Sequence, residues 1–444
     1  MNRPLAAIMS LALVLLAACG SGGGGGSDGG PTTVTIWDRA GALATSRQQF
    51  FAEWNETQGR ELGITVAYEP QATERYEEIL RLGFQTQRAP DIFHGPSSQM
   101  GTFVEAGWVQ PLDGLVAPEV IDAAARYLKP GSELVWGGEP YAVPTTSFTN
   151  RLVINRDLFR AAGLDPENPP RTFSEVEAAA RAITESSAGA ASGFALPVSW
   201  VGFRQWIVDL PVLAADADLT QNGLFNRATS RFETERYAPV VQLYRTLIQD
   251  DLAHPGAATL DFATMVAAFA EGKVGMMLVS SSVAGAFQQL GTTVDVGAGP
   301  IPVPDGQQLV RSPMNAGYPY SISALTENAD AAATVFEVMV GREMQEALAA
   351  GGNPPADPEV FAAAAAKDPV LALFQQTELD QQWPKNPGGV LPVEGESVND
   401  TIEKLVLDPS LDIDAELAAL GQRYQAAWDA AVGNGSVDPA EFTP

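Results

Sequence analysis

The chain has 444 residues, of which 45% are hydrophobic, so its length suggests two or three domains with a sizeable core. Its 54 acidic residues outnumber the 26 Lys and Arg, which gives a formal net charge of -28. This charge excludes nucleic acid and a polybasic membrane contact, because no basic surface is available to meet phosphates or anionic lipids. A cationic ligand is permitted, although a solvated acidic surface is the simpler explanation.

The first predicted element is an export signal. Arg3 precedes the apolar run 5–16, which is too short for an ordinary membrane-spanning helix. The residues Leu16-Ala17-Ala18-Cys19 look like a lipobox, so we expect 1–19 to be a lipoprotein signal peptide and Cys19 to carry the lipid. An ordinary secretory signal with a chance cysteine is the alternative. Residues 20–31 are almost all Gly and Ser, which predicts a flexible tether.

Strands and helices alternate in the next segment. Residues 34–37, 64–68 and 89–93 predict strands, with helices over 45–56 and 75–87 between them. This alternation predicts right-handed βαβ units and a mainly parallel sheet, whose ligands bind beyond the carboxyl ends of the strands. The candidate binding residues at those ends are Trp37, Asp38, Arg39, Gly95, Ser97 and Ser98. Asp38 could accept two hydroxyl donors or could instead cap the following turn.

The stretch 141–164 combines a polar segment with two apolar runs. Residues 141–144 and 152–154 are extended in pattern, and the residues between them are mostly short and hydroxyl-bearing. This arrangement favours a segment that faces a cleft, and its candidate ligand contacts are Thr146, Ser147 and Asn150; a solvated loop is the alternative. Asn155 is predicted to cap a helix over 156–162, which Gly163 would end.

The rest of the chain is read as helices with a few strands. A capping box at Ser174 and Glu177 precedes a helix over 178–183. Strands are predicted at 194–197 and 275–279, and an extended run at 297–303. Helices are predicted along 237–248, 261–270, 328–340, 343–350, 371–380, 397–405 and 415–428.

Signals for catalysis or metal binding are weak. The two histidines, His94 and His254, are far apart in sequence, and a single cysteine offers no thiolate pair, so we predict no metal site, no cofactor and no enzymatic activity. Residues 25–29 match a nucleophile elbow in form only, because they lie in the glycine-rich tether without a strand or helix around them.

Aromatic side chains supply the remaining candidate chemistry. A pyranose presents an apolar C–H face and a rim of hydroxyls, which suit aromatic rings and polar side chains respectively. The aromatic candidates near predicted strand ends or loops are Trp37, Trp200, Trp206, Tyr318, Tyr320 and Trp383. Trp54 and Trp428 lie on apolar helix faces and are expected to be core residues, and Trp108 and Trp136 are expected to be structural.

Several motifs resemble those of bacterial extracellular solute-binding proteins of the maltose-binding type. The first comprises Tyr141, Pro144, the aliphatic run 152–154 and the sequence Asn155-Arg156-Asp157-Leu158-Phe159. Others are Ala89-Pro90-Asp91-Ile92, the run 107–113 that ends in Pro-Leu-Asp, and the run 269–276 with its Gly-Lys pair. The resemblance covers about 32–431, and these motifs follow the family's order.

The resemblance implies an α/β fold with two periplasmic-binding-protein-like lobes of type II and three crossings, near Pro144, Tyr318 and Pro354. The first lobe would take 31–145 and 319–354, and the second 146–318 and 355–444. Family positions add Ser281 and Asn315 to the candidate ligand contacts. The sequence departs from the family at Phe148, where many relatives have a polar contact, and at Ser281, where relatives often have Trp.

The function implied is a lipid-anchored, extracytoplasmic substrate-binding protein of an ABC importer. It would be a monomer that binds a mono- or oligosaccharide between its lobes and delivers it to the transmembrane permease subunits. The alternative with the same fold is a binder of a polyamine or another small cation. A secreted hydrolase and a receptor that signals instead of transporting are hypotheses of other classes. We expect a groove bordered by Trp37, Thr146 and Tyr318.

Overall fold

The computed structural model describes residues 30–443, so the export signal, Cys19 and most of the tether lie outside the described residues. Two sheets organise the chain. The strands are β1 Thr32–Arg39, β2 Ile64–Gln71, β3 Ile92–His94, β4 Val135–Trp136, β5 Glu139–Pro140, β6 Val143–Phe148, β7 Asn150–Asn155, β8 Ser192–Phe194, β9 Phe225–Asn226, β10 Arg231–Phe232, β11 Val274–Ser280, β12 Val296–Gly299, β13 Ser312–Ile322 and β14 Asp380–Gln382.

Helices cover the faces of these sheets. They are α1 Ala42–Trp54, α2 Arg60–Leu62, α3 Tyr76–Gln85, α4 Met100–Glu105, α5 Pro118–Ala124, α6 Arg156–Ala161, α7 Phe173–Ser186, α8 Asp209–Ala215, α9 Ala238–Gln249, α10 Phe262–Ala270, α11 Val283–Leu290, α12 Ala329–Val340, α13 Arg342–Ala350, α14 Pro358–Ala365, α15 Pro369–Ala372, α16 Val398–Leu407 and α17 Ile413–Gly433. Within 30–443, none of the helices is both long enough and apolar enough to cross a bilayer.

The first sheet has the order β14-β13-β3-β1-β2, and β6 also pairs with β13. β1 runs parallel to both β2 and β3, as the alternation of strands and helices predicted. Along β1, Val34, Ile36 and Asp38 are buried on one face of the sheet, while Trp37 and Arg39 lie on the other face and are only partly buried. We call the part of the molecule built around β1, β2 and β3 of this sheet the first lobe.

The second sheet has the order β12-β7-β11-β8 and forms the second lobe. β7 pairs antiparallel with both β11 and β12. Its residues Leu152, Val153 and Ile154 are fully buried, which confirms the apolar run read from the sequence. The Asn155 side chain caps α6 by accepting hydrogen bonds from the backbone N–H groups of Asp157 and Leu158, also as predicted.

Three segments connect the lobes. β6 belongs to the first sheet and continues through Thr149 into β7 of the second. β13 pairs antiparallel with β6 and β3 and parallel with β14. The third segment follows α13 and forms a bridge between Thr146 and Pro355. The Ser147 N–H also donates to the Pro354 carbonyl at 3.1 Å, so the three segments lie side by side.

Two predicted elements are wrong in detail. The capping box uses Thr172 and Glu175 instead of Ser174 and Glu177, so α7 begins at Phe173. The predicted helix 371–380 is replaced by the short α15, an irregular segment and the start of β14. The reason is tertiary: Asp380 binds the buried Arg151, and residues 380–382 pair with residues 312–314 of β13.

Candidate functional site

The crossing strands β6 and β13 form the floor of the candidate site. Their register pairs Asn315 with Phe148 and Gly317 with Thr146. Gly317 is required at its position, because a Cβ atom there would lie 2.4 Å from both Phe148 Cε2 and Thr146 Oγ1. The Phe148 ring therefore lies over the backbone of β13, and Phe148, Asn315 and Tyr318 remain partly exposed along the floor.

A row of aromatic rings runs along this floor from the first lobe to the second. The His94 ring stacks on Tyr318 with centroids 5.0 Å apart and planes 20° apart. Phe148 contacts Tyr318 and Trp206 edge-on, at 6.2 Å in each case. Trp206 in turn lies 5.4 Å from Trp383. We call these five side chains the aromatic row; its central members Tyr318, Phe148 and Trp206 are partly exposed, whereas Trp383 is buried.

Tyr318 adopts an unusual backbone conformation within β13. Its φ is +45°, in the left-handed region that non-glycine residues rarely occupy. Such a conformation costs about 1–3 kcal/mol and persists only where the surrounding structure enforces it. The enforcing contacts include a 3.1 Å hydrogen bond from the Thr145 hydroxyl to the Tyr318 carbonyl and the stacking of His94 on the Tyr318 ring. Strain of this kind is concentrated at functional sites, which supports assigning the floor a binding role.

Trp206 lies on a π-helical turn, Arg204–Val208, which leads directly into α8. Such turns are rare and often occur at functional sites. Its base is fixed by the buried Asp209, which accepts hydrogen bonds from Arg204 and from the Tyr237 hydroxyl, the latter at 2.7 Å. The turn thus presents Trp206 from the second lobe toward Phe148 on the floor.

A buried polar cluster supports the row from the first lobe. Arg47 donates to Asp38 at 3.0 Å and to the Thr145 hydroxyl at 2.7 Å. Asp38 also accepts a 2.7 Å hydrogen bond from the Tyr320 hydroxyl and one from the Tyr68 hydroxyl. The Arg47 guanidinium lies 5.2 Å from the Tyr318 ring centroid and 5.1 Å from that of Tyr320, in cation–π contact with both.

Burial and charge set the protonation states in this cluster. Burial would raise the pKa of Asp38, but the Arg47 charge and the hydrogen bonds from Tyr320 and Tyr68 outweigh it, so that the pKa is lowered. Burial lowers the pKa of His94 to about 3, with the charges of Arg39 and Arg47 acting in the same direction and Asp38 opposing them. His94 is therefore a neutral ring near pH 7, suited to stacking on Tyr318.

The structure brings together part of the predicted set. Asp38, Tyr318 and Tyr320 meet in or beside the polar cluster, and Trp206, Trp383 and Asn315 lie in or beside the aromatic row. Asp38 is fully buried and bound by Arg47, so it orients the tyrosine rings instead of meeting solvent. Arg39 lies at the edge of the first lobe, paired with Glu77 at 2.8 Å.

Other predicted contacts are placed elsewhere. Trp37 donates to Glu69 and packs against Gly83 of α3, on the opposite face of β1 from Asp38. The Trp200 ring packs against the Phe262 ring, with centroids 4.9 Å apart and planes tilted by 33°. Gly95 is buried against β13 through a 2.8 Å hydrogen bond to the Pro319 carbonyl. Ser97 is partly exposed in a 3₁₀ turn, and the Ser98 side chain lies outside the described residues.

The expected hydroxyl-lined groove needs a correction. Thr146, Ser147, Asn150 and Ser281 are each 0% exposed, so in this conformation they are inaccessible to a solute. Their partners are interior: Ser281 donates to the Ser147 carbonyl at 3.1 Å, and Asn150 donates to the Pro313 carbonyl at 2.8 Å. Ser147, Asn150 and Ser281 thus link the crossing segments, whereas the Thr146 hydroxyl is buried without a hydrogen-bond partner. Trp37, Thr146 and Tyr318 do not border a common groove.

Three residues that build the site were not predicted from the sequence to take part in binding. Phe148 was noted only as a departure from the family, and Arg47 and His94 were not assigned a binding role. A signal existed for Arg47: helical spacing places it on the same face of α1 as the buried Phe51 and Trp54. A charged residue on an apolar helix face requires a buried partner, and Asp38 is that partner.

The arrangement offers apolar stacking surface with polar neighbours and no reactive constellation. Among residues 30–443, no group of His, Cys, Asp or Glu side chains is placed to hold a metal ion. The partly exposed faces of Tyr318, Phe148 and Trp206 can pack against an apolar ligand face, while Asn315 and the hydroxyls of Ser280 and Ser282 at the end of β11 are partly exposed.

The sequence is similar to a known protein family and to several of its members. A family model described as bacterial extracellular solute-binding protein matches residues 40–346. The maltotriose-binding protein of Pyrococcus abyssi is 23% identical over 366 residues, covering 79% of this chain and 72% of that protein. An uncharacterized lipoprotein of Streptomyces antibioticus is 26% identical over 261 residues, or 57% of this chain and 54% of that protein. The chain spans about half the length of several curated relatives that it matches.

Solved structures confirm the predicted fold. The sugar-binding protein MalE of Xanthomonas citri superposes with a TM-score of 0.71 at 20% sequence identity, over 92% of this chain and 100% of that one. At this identity the likeness concerns the fold: two α/β lobes of the periplasmic-binding type, joined by crossing strands.

Proposed function

This chain belongs to the bacterial extracellular solute-binding protein family, and from that membership we propose that it captures a mono- or oligosaccharide between its two lobes for an ABC importer. The family consists of binding proteins, which confirms the prediction that the chain is not an enzyme. The family also implies a location outside the cytoplasm. The saccharide, the delivery to a permease and the lipid anchor are parts of the proposal.

One observation carries the choice of a saccharide. Tyr318, Phe148 and Trp206 are partly exposed and lie in an unbroken row across the crossing strands. Aromatic rings held at a polar boundary match a ligand with alternating C–H faces and hydroxyl rims. The relative from Pyrococcus abyssi is described as a maltotriose-binding protein, which supports the same ligand class.

The charges near the site disfavour the alternative of a polyamine or another small cation. A cation needs a carboxylate that is not already neutralised. Asp38 is paired with Arg47, and Glu77 is paired with Arg39. Glu69 keeps its charge, but it is exposed beside Trp37, on the opposite face of β1 from Asp38. The acidic excess of the chain is therefore better explained as a solvated surface.

The two lobes are proposed to close on the ligand. We assign 31–145 and 319–354 to the first lobe and 146–318 and 355–444 to the second. A saccharide that touches both lobes favours the closed arrangement, because it binds that arrangement more tightly than the open one. A monomer in the closed state would then dock on the transmembrane permease subunits and release the saccharide.

Cys19 is proposed to anchor the protein. The sequence Leu16-Ala17-Ala18-Cys19 and the glycine-rich segment after it support this role. Mass spectrometry of the N-terminal peptide from the membrane fraction tests it directly: a diacylglyceryl mass on Cys19 is expected, and an unmodified Cys19 in the mature protein would contradict the anchor.

A ligand panel tests the main proposal. Neutral mono- and oligosaccharides are titrated into the purified protein while tryptophan fluorescence and melting temperature are followed, with spermidine and putrescine as the cationic arm. We expect saturable binding and a raised melting temperature with at least one saccharide. Saturation by a polyamine alone, or no response across a broad panel, would overturn the proposed ligand class.

A further inference from the structure

A second cavity lies between the lobes, apart from the exposed faces of the aromatic row. It has a volume of about 500 Å³, and Trp383 is the only member of the row along its wall. Segments from both sides of the first crossing enclose it, including 129–132 and 377–384. They are held together by hydrogen bonds from the Lys385 N–H to the Gly131 carbonyl at 2.7 Å and from Gln382 to the Ser132 hydroxyl at 3.2 Å.

Four cationic side chains line this cavity: Arg126, Lys129, Arg227 and Arg311. The whole chain has only 26 Lys and Arg and a net charge of -28. Among the described residues, none of these four makes an ion pair with a carboxylate within 4 Å, whereas 13 other Lys and Arg side chains do so elsewhere. Of the 25 Lys and Arg side chains within 30–443, 12 are therefore without an ion pair, and four of those 12 line this one cavity.

Arg311 is the most informative of the four. It is only 3% exposed, and it donates to the Leu213 carbonyl at 2.8 Å and to the Leu219 carbonyl at 2.6 Å. Carbonyl oxygens orient the guanidinium without cancelling its charge. Burial lowers the pKa of Arg311 to about 10, with the charge of Arg227 adding to the effect and Asp216 and Asp218 opposing it. A buried charge of this kind is costly unless an anion joins it.

The acidic residues near the cavity do not cancel this charge. Asp380 lines the cavity but is held by both terminal nitrogens of Arg151, at 2.7 and 2.8 Å. Asp216 pairs with Arg236 at 3.4 Å. Glu378 is the other carboxylate in the lining, and it is exposed. Asp218 acts on Arg227 and Arg311 from outside the lining. Within the lining, with Asp380 neutralised by Arg151, four cations face one carboxylate.

We propose that this cavity binds a small oxyanion, either inorganic phosphate or the phosphate or carboxylate group of a small solute. Arg126 and Lys129 approach from the segment before the first crossing, and Arg227 and Arg311 from the segments after it. Guanidinium groups recognise such anions through paired N–H donors. The enclosed volume suits a small molecule, and the anion links segments that belong to different lobes. The site does not depend on the ligand of the aromatic row.

Calorimetric titration of the full chain tests the proposal. Inorganic phosphate and citrate are titrated separately, each against sodium chloride of equal ionic strength, and their relative affinities distinguish a phosphate site from a carboxylate site. We expect saturable binding of at least one of them. The double variant Lys129→Gln/Arg227→Gln should weaken it about tenfold or more, because two charge-assisted contacts are lost.

The matched control is Arg60→Gln/Arg88→Gln, which removes the same charge at two exposed positions outside the cavity and should keep wild-type affinity. If the first double variant does not fold, Lys129→Gln alone, at an exposed side chain, should still weaken binding. Binding of neither anion beyond chloride, or equal weakening in both double variants, would overturn the site. Titration of a neutral saccharide into the same variants reports on the aromatic row separately.

Discussion

The Arg47 guanidinium donates a 3.0 Å hydrogen bond to the Asp38 carboxylate, and both side chains are fully buried. This pair joins α1 to the end of β1 and holds the cation against the rings of Tyr318 and Tyr320. Its value for binding is preorganisation: Tyr318 has little freedom to move before a ligand arrives, so little conformational entropy is lost on binding.

Breaking this pair should destabilise the fold. Arg47→Met leaves the Asp38 carboxylate buried without its cation, so we expect a loss of about 3–5 kcal/mol in the free energy of unfolding. The double variant Arg47→Met/Asp38→Leu should lose less than the sum of the two single variants, because no uncompensated charge remains. Urea unfolding of all three measures this, and additive losses would show that the pair is not coupled.

Removing the Tyr318 ring should weaken saccharide binding while removing its hydroxyl should not. Tyr318→Ala deletes the partly exposed stacking surface, and a loss of roughly tenfold in affinity is expected. Tyr318→Phe keeps the ring, and the hydroxyl has no hydrogen-bond partner among the contacts within 30–443, so its affinity should match wild type. Fluorescence titration with the best saccharide compares the three proteins, and equal affinities for Ala and Phe would remove Tyr318 from the site.

A methyl group at Gly317 should disturb the floor. In Gly317→Ala the new Cβ would lie 2.4 Å from Phe148 and Thr146, so Phe148 has to move, and we expect a loss of about 1–3 kcal/mol in stability together with weaker binding. Gly433→Ala near the end of α17 meets no atom within 4 Å and is the control, with stability unchanged or slightly raised. Thermal unfolding distinguishes them, and wild-type behaviour of Gly317→Ala would contradict the packing described.

Glu133 should make stability depend on pH. Burial raises its pKa to about 7, while the Asn386 hydrogen bond and the Lys385 charge act in the opposite direction. The unfolded group has a pKa near 4.5, so between about pH 4.5 and pH 7 the folded state holds a proton that the unfolded state has released. The contribution of Glu133 to stability therefore falls as pH rises through that window, by at most about 3 kcal/mol.

Glu133→Gln tests this sign. The amide oxygen can still accept the Asn386 hydrogen bond of 3.0 Å, but no charge forms at high pH. Relative to wild type, the variant should gain stability as pH rises from 4.5 to 7 and should match it below that window. Glu105→Gln, at an exposed carboxylate, is the control and should run parallel to wild type. Parallel curves for Glu133→Gln as well would show that Glu133 is not buried as described.

Elements that are determined by neighbouring residues could be predicted from the sequence. The Asn155 cap, the apolar run of β7 and the parallel pairing of β1 with β2 and β3 follow from neighbouring residues and from alternating periods, and all three were predicted correctly. The same reasoning placed Tyr318 and Trp206 near a cleft, and the structure connects them through Phe148.

The polar segment 145–150 shows why the burial of the predicted ligand contacts could not be read from the sequence. Its polar groups are satisfied by distant carbonyls: the Thr149 hydroxyl donates to Phe374 at 2.7 Å, and Asn150 donates to Pro313 at 2.8 Å. Which side of a crossing strand is covered depends on segments more than 150 residues away, and no local pattern specifies them. Trp37 was misplaced for a related reason, since α3 covers its face of β1.

The most direct measurement is a crystal structure of the protein with the tightest-binding saccharide from the panel. We expect a sugar ring between the two lobes, with its C–H face packed on Tyr318, Phe148 or Trp206 and its hydroxyls bonded to residues of both lobes. A saccharide bound on the outside of either lobe, leaving these three rings exposed, would contradict this expectation.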